Sequence, residues 1–338
     1  MKTYNNIFHT IASIPALYAA WERARRGKRY RMQVLHFGYN LEDNLVDIRD
    51  ELHDGTYTHG QYRTFIVRDS KKRLIKAACF RDRVVHNALY YALETIFEPM
   101  FIYDSYACRE GKGTHVALDR AEHFMHKTEY VLTSDISKYF ATINHEILLS
   151  LIKHKIRDRR VVDLCRIVIE SSYDLTYGKG IPIGNLTSQL FANIYLNELD
   201  QFIKRELKAE YYIRYMDDIV IFSNDKKYLH ECSTRMNEFL EEKLKLVMNP
   251  RKVAVFPHRT GLDFLGFRLF PHHRLLRRST VQRFVRRTRA YRKMVAREAM
   301  TQDQFDRSIE SWYQYARKGS SWGLRRDLER RLDIPFTY

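Results

Sequence analysis

Between residues 211 and 223 apolar and aromatic side chains run almost unbroken, with two adjacent acids in the middle: Tyr-Tyr-Ile-Arg-Tyr-Met-Asp-Asp-Ile-Val-Ile-Phe-Ser. β-Branched and aromatic residues suit a pleated, half-buried surface, so 211–215 and 219–223 predict two strands. The break at Met216, Asp217 and Asp218 makes them a hairpin with carboxylates at its tip. Two readings of that tip stand: a solvated Asp-Asp turn, or buried carboxylates that hold a divalent cation.

The same patterning predicts the rest of the chain. Alanines favour a helix over 11–29 with a basic end, and a second over 41–52 that stops at Asp54-Gly55. Residues 62–68 and 73–80 read as a hairpin around a turn at 69–72; Arg68, Lys71, Lys72, Arg73 and Lys76 crowd it. An amphipathic helix covers 82–97, ahead of Pro99. Tyr130 to Asp135 reads as a strand ending in an acid, and Asn144 suits the N-cap of the next helix. The segment 181–189 predicts a tight turn that opens a helix over about 188–207. Leu190, Ile194 and Ile203 would face inward there, with Asn193, Asn197 and Lys204 outward. A helix over 227–244, a turn and strand over 246–256, and one arm of a further hairpin over 263–270 follow.

Beyond Pro271 the character changes. Val281, Phe284, Val285, Tyr291, Met294 and Val295 recur at helical spacing and leave most of a dense set of arginines on the other face. A merely solvated helix would mix signs, so a phosphate backbone is the favoured ligand of that face. Trp312, Tyr313, Tyr315 and Trp322 fit the core of a small helical bundle.

Composition narrows the class. At 338 residues the chain can bury a substantial core, and 45% apolar residues exclude a disordered protein. A net charge of +17 points to a polyanion, nucleic acid before an anionic membrane, since no apolar anchor accompanies it. No run is apolar enough to span a bilayer, and the N-terminus lacks a signal-peptide pattern. Cys79, Cys108, Cys165 and Cys232 form no Cys-x-x-Cys pair and read as reduced core residues of a cytoplasmic protein. His123 and His126 have metal-ligand spacing, but a surface helix explains them better. Gly111-Lys-Gly113 lacks the longer glycine spacing of a phosphate loop.

Asp135, the Gly184 turn with its helix, Tyr215-Met-Asp-Asp218 and Phe264-Leu-Gly-Phe267 occur in the order seen in reverse transcriptases. From about Arg63 onward the chain resembles that family. The resemblance implies an α+β right-hand polymerase fold: an N-terminal extension and fingers over 1–129, palm over 130–270 with a fingers portion at about 145–182, and a basic helical thumb over 271–338. It further implies two Mg2+ ions, or Mn2+ as a substitute, at Asp135, Ile136, Asp217 and Asp218. Lys252 resembles the lysine that protonates pyrophosphate, and Phe140 the steric gate that favours dNTPs. Arg73 and Lys72 match residues that hold the triphosphate; Ile183, Gly184 and Gln189 would line the nascent base pair. Phe264, Leu265, Gly266 and Phe267 resemble the primer grip, and Arg283, Arg286, Arg287 and Arg289 would track the template–primer duplex.

Most relatives carry Gln-Gly and then Ser-Pro in the turn before the long helix, whereas this chain has Ile183-Gly184 and Ser188-Gln189. That form resembles the reverse transcriptases of diversity-generating retroelements, which misincorporate opposite template adenines. The expected partners are template RNA, a primer or cDNA duplex, dNTPs and an oligomer of a small basic accessory protein, in a bacterial or phage-infected cell. No ribonuclease H, integrase, endonuclease or maturase segment is recognised. The rival readings are a group II intron-like or defence-associated reverse transcriptase, and a non-catalytic RNA-binding protein on a polymerase scaffold.

Overall fold

The computed structural model describes residues 2–68, 72–172 and 178–334. Helices α1 (His9–Ala12), α2 (Ile14–Ala24), α3 (Met32–Tyr39) and α4 (Leu41–Asp54) come first. The single helix expected over 11–29 is broken: Ser13 is extended, and Pro15 then sits in the opening turn of α2, where a missing N–H costs nothing. Gly55 ends α4 in the left-handed conformation, at φ +72°.

Strands β1 (Arg63–Arg68) and β2 (Lys72–Ala77) pair antiparallel, Arg63 opposite Ala77. The turn expected at 69–72, with Lys71, lies outside the described residues except for Lys72, which opens β2. Helix α5 (Phe80–Phe97) starts at the residue expected to close that hairpin. It is buried around much of its circumference, Asp82, Val85, His86 and Leu89 included, and packs against α2 on one side. The helix expected over 82–97 is therefore present, and it is a central one.

Helix α6 (Thr114–Met125) leads to β3 (Tyr130–Asp135), α7 (Tyr139–Thr142), α8 (His145–Lys155) and α9 (Arg159–Glu170). Asn144 caps α8 as expected, its side chain accepting from the Ile147 N–H at 3.0 Å. Helix α10 (Leu186–Arg205) packs on α5 and α8. Asn193 and Asn197, expected to face out, are buried. Asn193 donates to the Ala107 carbonyl, and Asn197 accepts from Gln201, so polar side chains on this helix are satisfied inside the protein.

Strands β4 (Tyr211–Tyr215) and β5 (Asp218–Ser223), helix α11 (Lys226–Lys243) and strand β6 (Ala254–Pro257) complete the principal unit. Its antiparallel sheet has the order β4-β5-β3-β6. Side chains alternate across it: Leu132, Tyr212, Ile219 and Ile221 enter the core beneath α10 and α11, while Val131, Ile213, Val220 and Phe222 enter a second core on the opposite face.

That second core is closed by α6, by the sheet of β7 (Leu262–Phe264), β8 (Phe267–Phe270) and β9 (His273–Leu276), and by α12 (Arg278–Val295), α13 (Gln302–Ala316) and α14 (Trp322–Leu332). The stretch expected as one arm, 263–270, is itself a hairpin, turned by Leu265 and Gly266 at φ +46° and +90°. Pro271 lies in the connection from β8 to β9, so the change of composition falls inside this sheet. Trp312 and Tyr313 are core as expected, but Trp322 is 60% exposed. All four cysteines are free; Cys165 and Cys232 are buried, whereas Cys108 is exposed, contrary to the expected core position. Helices and antiparallel sheets together give the expected α+β class. Among the described residues no helix is long and apolar enough to cross a membrane.

Candidate active site

Strand β3 ends at Asp135, and the antiparallel register sets it opposite Asp218, the first residue of β5. Tyr215 pairs with Asp218 from the other side, so the hairpin turn is only Met216 and Asp217, shorter than the three-residue break expected. Met216 carries a left-handed φ of +57°, which suits the first turn position of a type II′ hairpin and is costly for a side chain with a Cβ. Asp135 is buried; Asp217 and Asp218 are half-buried.

What holds that turn is a residue that the sequence reading passed over. Arg214 is fully buried, and its guanidinium forks onto Asp200 of α10 with two bonds of 2.7 Å. A third nitrogen reaches the Asn193 side chain and the Met216 carbonyl, each at 3.1 Å. Tyr212 donates to the same Asp200 at 2.6 Å. Burial works against the charge on Arg214, but the attraction of Asp200 outweighs it and raises its pKa. A cation in the middle of an apolar strand was the signal available; Asp200, among Asn197, Glu198 and Gln201, carries none.

A second segment closes the site. The Asn249 N–H donates to the Asp135 carbonyl at 2.7 Å, and Ser137 donates to Val247 at 2.9 Å, so residues 247–249 lie along the end of β3. Met248 bridges Ile136 in the same antiparallel sense. This brings the Lys252 ammonium onto the Asp135 carboxylate as an ion pair.

The 181–189 turn is fixed by its neighbours. Ile181 donates to the Phe140 carbonyl at 2.8 Å, and Lys76 of β2 donates to the Ile183 carbonyl at 2.9 Å. Gly184 has φ +133°, and a Cβ there would run into the Lys76 carbonyl, so only glycine lets the two backbones approach this closely. The Asn185 side chain donates to the Tyr62 hydroxyl at 2.6 Å, and Tyr62 also bonds Ser171. Ile183 and Gln189 are exposed beyond this clamp, and Phe140 is half-buried.

The structure thus gathers Asp135, Asp217, Asp218 and Lys252 at one strand end, and Phe140, Ile183 and Gly184 around one turn. Lys72 and Arg73 lie on the exposed start of β2, upstream of Lys76. Phe264 and Phe267 are buried in the second core, while Leu265 and Gly266 between them are half-buried. On α12 Arg286, Arg287 and Arg289 are exposed and Arg283 is half-buried.

Among the described residues no three His, Cys, Asp or Glu side chains are gathered as a metal-binding group, His123 and His126 included. The donor set at the strand end nevertheless fits a hard divalent cation. It is all oxygen, and a positive charge, the Lys252 ammonium, already rests on Asp135.

The reverse transcriptase (RNA-dependent DNA polymerase) profile matches residues 67–269. Protein YkfC of Escherichia coli strain K12 is 29% identical over 68% of this chain and 72% of its own. The group II intron-encoded protein LtrA of Lactococcus lactis is 32% identical over 48% of this chain, but the match spans only 28% of LtrA. Among solved structures, telomerase from Candida albicans in complex with a telomeric RNA fragment aligns with a TM-score of 0.48, at 10% identity, over 66% of this chain and 47% of that one.

Proposed function

Since the chain belongs to the reverse transcriptase (RNA-dependent DNA polymerase) family, we propose that it copies template RNA into DNA by nucleotidyl transfer at Asp135, Asp217 and Asp218. The observation that carries this reading is the strand register that sets Asp135 opposite Asp218, with Asp217 in the adjoining turn. Mg2+, or Mn2+ in its place, would be held by these carboxylates with Ile136, and would activate a primer 3′-hydroxyl and stabilise departing pyrophosphate. Lys252 keeps an ammonium beside Asp135, where it can give a proton to that leaving group. Phe140 excludes a 2′-hydroxyl from the sugar position. Lys72 and Arg73 bind the triphosphate.

In this reading residues 1–129 carry an N-terminal extension and the fingers, about 145–182 a further fingers portion within the palm of 130–270, and 271–338 the thumb. The exposed arginines of α12 and the Leu265-Gly266 turn hold the template–primer duplex. Primer extension on an RNA template with dNTPs and Mg2+ tests the activity. Extension is expected for the native chain and lost in Asp217→Ala; extension that survives this change would overturn the assignment, and none at all would favour the RNA-binding scaffold.

The finer reading is an error-prone enzyme of a diversity-generating retroelement, working with an oligomeric basic accessory protein. It rests on the turn. An apolar Ile183 and an exposed Gln189 flank a backbone clamp, so no polar side chain from position 183 reads the nascent pair. Sequencing of cDNA made by Ile183→Gln on a defined RNA is expected to show fewer errors opposite adenine. An unchanged error rate there would overturn it. The likeness to a group II intron-encoded protein favours a second reading, an intron-type enzyme. Two near-identical genomic repeats that differ at adenines would mark the first reading; flanking intron RNA would mark the second.

A further inference from the structure

Helix α3 turns one side inward and leaves the other without a partner. Val34 and Phe37 are buried, whereas Met32, Leu35 and Tyr39, spaced three and four residues apart, lie along one outward stripe. Met32 is 77% exposed, Leu35 51% and Tyr39 89%, and Tyr30 just before the helix is 94% exposed. Single exposed apolar residues are ordinary, but these lie together and make a patch. The stripe sits in a fixed frame. Helix α3 packs on α4 and α5, and the Asn44 side chain donates to the Phe37 carbonyl at 3.0 Å, which holds the start of α4 against the end of α3.

The two ends of the stripe carry opposite charge. Arg29 and Arg31 precede α3, and Glu42 and Asp43 open α4 just beyond it. All four are exposed and enter no ion pair among the described residues. The acids suit the positive end of the α4 dipole, which accounts for their presence but not for the apolar stripe beside them. They also argue against a polyanion or an anionic membrane as the occupant, since either would be repelled at that end. The occupant needs an apolar strip with the reverse order of charge, and the chain itself provides one. A second α3, set antiparallel about a two-fold axis between Leu35 and His36, lays Met32 against the other copy's Tyr39 and the Arg29 end against the other copy's Glu42 end, and the symmetry repeats both contacts. The helix is about 12 Å long at about 1.5 Å per residue, so its charged ends are far enough apart to select this direction; a parallel pairing would set like charges together. At roughly 150–250 Å² for each ring, the tyrosines of two copies, with Met32 and Leu35, reach the ~1,000 Å² that a specific interface needs.

We propose that α3 is a self-association face: two copies of the chain pack their Met32, Leu35 and Tyr39 stripes antiparallel, with Arg29 and Arg31 of each beside Glu42 and Asp43 of the other. The face uses none of the residues of the polymerase centre, and its test needs no catalysis.

The experiment is sedimentation equilibrium of the full chain without nucleic acid. From about 1 μM to about 100 μM the native chain is expected to pass from monomer to dimer, the range of an interface at the small end of the specific class. Leu35→Asp sets two carboxylates near each other at the axis and should weaken association at least about tenfold, with a native melting temperature because the residue is exposed. Arg29→Glu with Arg31→Glu should be monomeric, and so should Glu42→Lys with Asp43→Lys. Mixed together, these two charge-reversed chains should form a heterodimer of about native strength, because every contact again joins opposite signs. A purely structural role for the four residues would not produce that rescue. A native chain that is monomeric throughout the range, a dimer that Leu35→Asp leaves intact, or charge-reversed chains that stay apart when mixed would overturn the proposal. A monomer that binds phosphatidylserine vesicles, and loses them with Leu35→Asp, would assign the stripe to a membrane and overturn it equally.

Discussion

Replacing Arg214 by methionine removes the guanidinium that joins the acidic hairpin to α10. The side chain and its partner Asp200 are both fully buried, so the change leaves a carboxylate inside the protein with only the Tyr212 hydroxyl on it. Breaking one member of a buried pair costs about 3–5 kcal/mol. The geometry supports the upper part of that range: two bonds of 2.7 Å are charge-assisted, and bonds to Asn193 and Met216 go with them. Against a domain stability of about 5–15 kcal/mol, Arg214→Met should lower the urea midpoint sharply. The double variant Arg214→Met, Asp200→Leu separates the two roles of the pair. Apolar replacement of a whole buried ion pair is often neutral, so most of the stability should return. The Met216 carbonyl still lacks its donor, so primer extension should stay depressed in the refolded double variant. A single variant that loses less than about 1 kcal/mol would refute the buried-pair argument. A double variant with native activity would refute the positioning argument.

Burial, and then His59, lowers the His86 pKa to about 3, so the folded protein holds this ring neutral where an unfolded chain would protonate it. Between about pH 6.5 and pH 3 the unfolded state binds the extra proton, and stability should fall with pH by up to about 1.4 kcal/mol per unit. Urea titrations should show that slope reduced in His86→Gln. Gly184→Ala is expected to push β2 away from the turn, because its Cβ has no room against the Lys76 backbone; a raised KM for dNTPs, with DNA–RNA hybrid binding retained, checks it. Neutralising Arg286, Arg287 and Arg289 together should weaken hybrid binding and flatten its salt dependence, by up to about 0.7–0.9 log units of slope per lost phosphate contact.

Much of this arrangement is legible in the residues because it is local. The 211–223 run fixes its own pleat, Asp135 ends an apolar strand, and Gly184 marks a close approach of two backbones. What stays hidden depends on partners distant in the chain. Nothing near Asn193 announces that Arg214 will bond to it from a strand 21 residues on, and so an asparagine expected to face outward is a core residue. The 263–270 stretch reads as one strand because its turn, Leu265-Gly266, carries a single glycine within apolar neighbours.

The alternation of the principal sheet has a mechanical consequence. Val131, Ile213, Val220 and Phe222 belong to the same apolar mass as Phe284, Trp312 and Leu328 of the C-terminal helices, while their immediate neighbours serve the opposite mass. The sheet is thus a party wall between two rooms. A chain cut before β7 would leave one side of that wall wet, and the loss would be felt at the carboxylates mounted on its edge, far from the cut. Isolating the first 261 residues as a minimal catalytic piece should therefore fail through solvation of the wall, even though every acid of the site is present.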